Sequence, residues 1–302
     1  MRPEPSLRFL PLVAALAAAL FVLAHGSAVA AERPTVRIGS KNFTEQLILG
    51  EMYALLLEKA GFRVERKLNL GGTLLAHEAL KAGEIDLYPE YTGTALLNML
   101  GKEVMRDPRK VYETVKAEYR RLWNLVWLDP APMNNTQAIA ITRKTAEKYD
   151  MYTLSAMSKQ APNLVLAAVP EFTERPDGLK GLKRVYGGFD FKSVRLVDYG
   201  IKYRALVGGQ ADVTVAFGTD GEIKGYDLVV VKDDKGLWPP YQVAPVVRQA
   251  LLDQAPEVAT VLNRLQPSLT DAVMQGLNWQ VDGEKREYAE VAREYLTRQG
   301  LL

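Results

Sequence analysis

Three aromatic rings and one arginine are the side chains best placed to do chemistry. Tyr91 lies in Asp86-Leu-Tyr-Pro-Glu-Tyr-Thr-Gly-Thr94, Phe217 ends the segment 212–217, and Tyr241 lies in Trp238-Pro-Pro-Tyr-Gln-Val-Ala-Pro245. Each falls beside a predicted strand end or chain crossing. Rings brought in from three directions can box a cation. A quaternary ammonium has no N–H to donate, so ordinary hydrogen bonds cannot hold it; π faces can, at ~0.5–2 kcal/mol per ring. Arg175, in Pro170-Glu-Phe-Thr-Glu-Arg-Pro176, follows a predicted strand and could grip a carboxylate bidentately. Box and arginine together would hold a zwitterion. Rings at strand ends also serve as core or hinge packing, and a loop arginine as a solvated surface group. Spacing alone does not choose between these roles.

The usual catalytic groups are missing. There is no cysteine, which removes disulfides, thiolate chemistry and a lipidated N-terminal cysteine. The two histidines are His25, which a predicted leader removes, and His77, set among Leu74, Leu75 and Leu80 on a predicted helix. His77 has no partner at metal-ligand spacing and is expected to be structural. There is no Gly-x-Ser-x-Gly. Gly39-Ser-Lys-Asn42 lacks the spacing of a phosphate loop, and Gly71-Gly-Thr73 reads as a turn and helix start. Carboxylate pairs such as Glu84/Asp86 and Asp233/Asp234 carry no mark of a glycosidase. The expectation is a binding protein with no enzymatic activity, cofactor or metal. An enzyme on the same scaffold is the alternative from another class.

The N-terminus has the form of a secretory signal peptide: Arg2 and Arg8, an apolar run over 9–24, then Ala28-Val29-Ala30 as a cleavage site. The apolar run is short of the ~20 residues of a membrane span. Removing 1–30 takes away Arg2, Arg8 and Glu4, which leaves 36 basic against 35 acidic side chains from the original 38 and 36. That balance gives no reason to expect nucleic acid. A periplasmic, monomeric protein is expected.

The elements that must position the rings follow in order. A strand at 35–39, a helix at 46–59 capped by Thr44, a strand at 62–70, a helix at 74–82 and a strand at 86–88 give β-α-β-α-β, the order of a parallel sheet. Pro89 is expected to end pairing in that last strand. A helix at 108–123 and a strand at 125–128 follow. Residues 134–137 read as a crossing into a second lobe with strands at 138–142, 164–169, 194–197, 212–217 and 227–231. Residues 238–245 read as a crossing back, and helices fill the rest. The predicted fold is α/β: lobe 1 over 31–135 plus 241–302, lobe 2 over 136–240, two hinge crossings and a ligand cleft able to close.

Several stretches carry a family resemblance: Gly39-Ser-Lys-Asn-Phe-Thr-Glu-Gln46, Asp86–Thr94, Asn134-Asn-Thr136, Glu171-Phe-x-Glu-Arg-Pro-Asp-Gly178, Thr219-Asp220 and Pro239-Pro-Tyr-x-x-Ala-Pro245. In order, across essentially the whole mature chain, the sequence resembles the quaternary-amine (glycine betaine, choline, carnitine) binding proteins of osmoprotectant ABC importers. The resemblance implies a type II periplasmic binding-protein fold, and delivery to a membrane permease driven by a cytoplasmic ATPase. It implies cage roles for Tyr91 and Tyr241, a carboxylate-holding role for Arg175, and supporting polar roles for Thr94 and Asn135. Two positions depart from the family pattern, where tyrosine is frequent: Gln137 and Phe217. Phe217 keeps a π face. Gln137 removes a ring, which is expected to weaken trimethylammonium binding several-fold or to turn the site toward a solute with a polar part, such as carnitine or ergothioneine. A ligand-sensing role is the other alternative.

Overall fold

A computed structural model of the chain describes residue 1 and residues 33–302. The signal peptide predicted for 1–30 lies, Met1 apart, outside the described residues. Among the described residues ten strands form two five-stranded sheets. The first contains β1 (Val36–Gly39), β2 (Val64–Lys67), β3 (Leu87–Tyr91), β4 (Leu125–Trp127) and β10 (Val243–Arg248), in the order β2-β1-β3-β10-β4. The second contains β5 (Gln137–Thr142), β6 (Val165–Ala168), β7 (Ser193–Leu196), β8 (Val213–Phe217) and β9 (Leu228–Val230), in the order β7-β6-β8-β5-β9. In each sheet three neighbours are parallel and the last two join antiparallel. The chain leaves the first sheet after β4, builds the whole second sheet, and returns as β10. Segments 128–136 and 231–242 are therefore the two connections.

Strand β10 corrects the sequence reading, which saw only a crossing at 238–245. Its run Val-Ala-Pro-Val-Val-Arg is buried but for the last residue, as befits a strand covered on both faces. Proline hid it. Pro245 stands opposite Pro89 of β3, so β3 also runs on through its proline to Tyr91 instead of stopping at 88. The hydrogen bonds Arg248 N–H to Asp86 O and Thr92 N–H to Gln242 O mark the bonded pairs. Alternation then puts Pro89 and Pro245 at a non-bonded pair of this ladder, so neither proline costs a bond between β3 and β10.

Helix Thr44–Lys59 is buried nearly all round, which is why its apolar residues do not keep to one stripe. Thr44 is not its cap. Phe43 precedes the helix in extended conformation without a side-chain cap, and the Thr44 hydroxyl donates instead to Asp282. Helices Asp271–Asp282 and Tyr288–Arg298 pack on this helix, so the end of the chain completes the first core. Ile139, Ile141, Leu166, Val213 and Val215 form a separate core on the second sheet. His77 is buried edge-on to Tyr119 and Trp123, at 5.4 and 4.6 Å between ring centres, and burial lowers its pKa. No helix among the described residues is long and apolar enough to cross a membrane.

Candidate ligand-binding site

The strands of both sheets end at a shared seam, and the two connections run side by side across it. Asn135 N–H donates to Tyr241 O at 3.1 Å, and Tyr241 N–H to Asn134 Oδ1 at 2.7 Å. Each connection thus fixes the other, and with it Asn135 and Tyr241. Tyr91 is the last residue of β3, and Phe217 the last of β8, where it pairs in register with Gln137, the first of β5. Gly93 lets Tyr241 approach: a Cβ there would lie 2.7 Å from the Tyr241 ring and 2.8 Å from Pro240 O.

Tyr91, Thr94, Asn135, Gln137, Arg175, Phe217 and Tyr241 all line one cavity of about 30 Å³. Sequence reasoning missed further wall residues, chief among them Phe43, Tyr199, Lys41 and Glu171. Phe43 is nearly parallel to Tyr91, Tyr199 and Phe217, with ring centres 6.3, 5.3 and 5.9 Å away. The loop between β1 and its helix was read only as a helix start, although a loop at a strand's carboxyl end is where ligand contacts concentrate. A volume of 30 Å³ has room for a water or two. Nothing larger fits without movement of the walls.

The charged groups of the wall, Lys41, Arg175 and Glu171, are held by ion pairs. Lys41 Nζ is bound to Glu90 Oε1 at 2.6 Å and lies 5.2 Å from the centre of the Tyr91 ring. Arg175 Nε and Nη2 hold both oxygens of Asp177, at 2.8 and 2.7 Å. Its Nη1 donates to Glu171 at 3.2 Å and its Nη2 to Thr94 Oγ1 at 3.3 Å. The bidentate carboxylate partner of Arg175 is thus the protein's own Asp177, where the sequence pointed to a ligand. These bonds leave one Nη1 hydrogen uncommitted. Glu90 and Asp177, which pair with Lys41 and Arg175, lie outside the lining, so Glu171 is the carboxylate on the wall itself. Tyr241 donates to Asp177 Oδ2 at 2.5 Å and Tyr91 to Glu45 Oε1 at 2.8 Å. Burial, with those carboxylates, raises both phenol pKa values well above the usual range. Both tyrosines therefore stay protonated, with their hydroxyls bound to protein and their rings left to face the cavity wall.

The family profile described as the substrate binding domain of ABC-type glycine betaine transport system, OpuAC, matches residues 34–298. The chain belongs to the OpuAC family. It is a substrate-binding protein of the glycine betaine/carnitine type of ABC transporter. It is 36% identical over 282 residues to the glycine-betaine-binding protein of Pseudomonas aeruginosa, covering 90% of each chain. It is 37% identical over 287 residues to the ergothioneine transport permease/ergothioneine binding protein of Helicobacter pylori, covering 95% of this chain but about half, 51%, of that relative's length. The crystal structure of a glycine betaine/carnitine/choline ABC transporter protein superposes with a TM-score of 0.72 at 34% identity, over 88% of this chain and 99% of that one. OpuAC-family structures are two-lobed, as the two sheets here require.

Proposed function

We propose that the protein captures a small quaternary-ammonium solute between its lobes and hands it to the permease of an ABC importer powered by a cytoplasmic ATPase. The trimethylammonium group sits in the box of Tyr91, Phe217 and Tyr241, with Phe43 and Tyr199 completing the walls. Thr94, Asn135 and Gln137 supply polar contacts, and Arg175 offers one N–H to any carboxylate. The observation that carries this reading is five aromatic rings around one cavity whose two cations, Lys41 and Arg175, are each already paired with a buried carboxylate of the protein. The ring faces can hold positive charge without needing a donor from the ligand. The leader would place the protein in the periplasm, where it acts as a monomer and binds without catalysis. Titration calorimetry with glycine betaine, choline, carnitine and proline betaine tests this reading. Binding of at least one is expected, and no heat from any of them at millimolar concentration overturns it.

A second reading of the ligand rests on Gln137. Its side chain is 4% exposed, and its Oε1 is buried without a hydrogen-bond partner, as is Oδ1 of Asn135. Two buried acceptors without donors are costly. Glycine betaine has no hydrogen to give them. Carnitine has a hydroxyl and ergothioneine a ring N–H, so this wall favours a trimethylated solute that also carries a donor. Replacing Gln137 by leucine, of similar size, separates the two. Affinity for a donor-bearing solute should fall about tenfold, while affinity for glycine betaine should hold within about threefold. Equal losses for both would remove Gln137 from ligand selection.

A further inference from the structure

The buried carboxylate of Glu45 belongs to neither the box nor a salt bridge, yet four donors converge on it. Oε1 accepts from the Tyr91 hydroxyl at 2.8 Å and from Asn135 Nδ2 at 2.7 Å. Oε2 accepts from the Thr219 hydroxyl at 2.5 Å and from Asn278 Nδ2 at 3.0 Å. The division between the two oxygens follows the architecture. Oε1 faces the cavity wall, through a ring at the end of β3 and a side chain of the first connection. Oε2 faces the seam, where Thr219 belongs to the turn after β8 of the second sheet, while Asn278 belongs to a helix packed on the first core. The seam continues past it: Asn278 Nδ2 also donates to Thr219 O at 2.9 Å, and Gln275 Nε2 to Gly218 O at 2.9 Å. Glu45 is 3% exposed and Thr219 fully buried. Parting of the lobes would remove Thr219 and leave Oε2 short of a partner.

We propose that Glu45 is a positioning residue that ties occupancy of the box to closure of the lobes. This rests on the ligand reading above for what fills the box, and not for how the lobes close. A solute packed on Tyr91 fixes that hydroxyl, which fixes the Glu45 carboxylate and presents Oε2 to Thr219. Closure in turn holds Tyr91 in place for the solute. Such coupling between two contacts is reciprocal and is measured as non-additivity.

The test is a double-mutant cycle read by calorimetric titration with choline. Tyr91→Phe keeps the ring and removes the hydroxyl; Thr219→Val removes the seam donor without touching the cavity. Each should weaken binding about fivefold or more. The pair together should weaken it at least threefold less than the product of the two. In a Glu45→Ala background Thr219→Val should have less than a twofold effect. Independent losses that multiply, or a Thr219→Val effect that persists without Glu45, overturn the proposal. Lobe distance gives a second readout. Because the chain has no cysteine, spin labels at Lys110→Cys and Lys159→Cys report closure cleanly. The closed component of the distance distribution should fall at least threefold in Thr219→Val and in Glu45→Ala without any added solute. An unchanged closed component in both variants overturns the role of Glu45. Failure of wild-type protein to bind choline, betaine or carnitine instead refutes the ligand reading, and the distance measurement still decides Glu45.

Discussion

Tyr241→Ala should lower the affinity for a trimethylammonium solute by about 100-fold or more, to the point of no measurable heat. The substitution acts in three ways at once. It removes one ring of the box, worth ~0.5–2 kcal/mol and more where water is excluded. It takes the phenol from Asp177, whose Oδ2 it holds at 2.5 Å. It also empties a fully buried position beside Gly93, where the backbone is drawn in to fit the ring. Tyr241→Phe isolates the second of these and should cost roughly tenfold. Tyr88 is the control. It lies three residues before Tyr91 on the opposite face of β3, inside a different core cluster, and donates to Glu90 Oε2 at 2.7 Å. Tyr88→Phe should leave affinity within about threefold. Tyr88→Ala is a poor control, since emptying so large a core position costs ~3–5 kcal/mol of stability. Calorimetry on the three variants, with thermal unfolding alongside, decides the matter. Equal losses for Tyr241→Phe and Tyr88→Phe would remove Tyr241 from the site.

Arg175→Gln should cost about 3–5 kcal/mol of stability, because it strips the partner from a buried charge. Asp177 is fully buried, and its oxygens are held by Arg175, Tyr241 and Asn98. Burial alone would raise its pKa; the Arg175 charge and these hydrogen bonds outweigh burial and lower it below the usual carboxylate range. The sign of the pH effect follows. A carboxyl whose folded pKa is depressed contributes stability that is present above the ordinary carboxylate pKa and is lost as pH falls through the folded value. Wild-type protein should therefore lose this contribution only in acid, below about pH 4. Arg175→Gln should already be destabilised at pH 7, and acid should cost it less than it costs wild type. Denaturant unfolding at pH 7 and at about pH 2.5, below the ordinary carboxylate pKa, measures both effects. An Arg175→Gln variant as stable as wild type at pH 7 would show that the buried pair is not what holds this wall together.

The sequence was informative where local signals are strong, and silent where contacts are long-range. Helix Pro108–Trp123 could be read to the residue, because Asp107 caps it, Pro108 starts it and four buried positions recur on one face. Strand β10 could not, because its proline contradicts strand propensity unless the opposing Pro89 and the ladder register are known. The seven site residues came from strand ends and motif resemblance, and the structure places them around one cavity. Phe43, Tyr199 and Glu45 escaped notice for different reasons. Phe43 looked like a helix preamble, and Tyr199 sits in a short turn of helix. The role of Glu45 depends on partners 46, 90, 174 and 233 residues away. Gln137 was visible as a departure from the family pattern, and only the structure shows that its amide oxygen has no partner.

The central claim is that a positive charge is held by rings. Choline and 3,3-dimethylbutan-1-ol differ only in carbon replacing the quaternary nitrogen, so they match in shape and hydroxyl and differ in charge. Titrating both into the wild-type protein isolates the cation–π contribution. With several rings each supplying on the order of 1 kcal/mol, choline should bind at least about 30-fold more tightly than its neutral analogue. Equal affinity for the two would mean that the cavity selects shape alone, and would contradict the account.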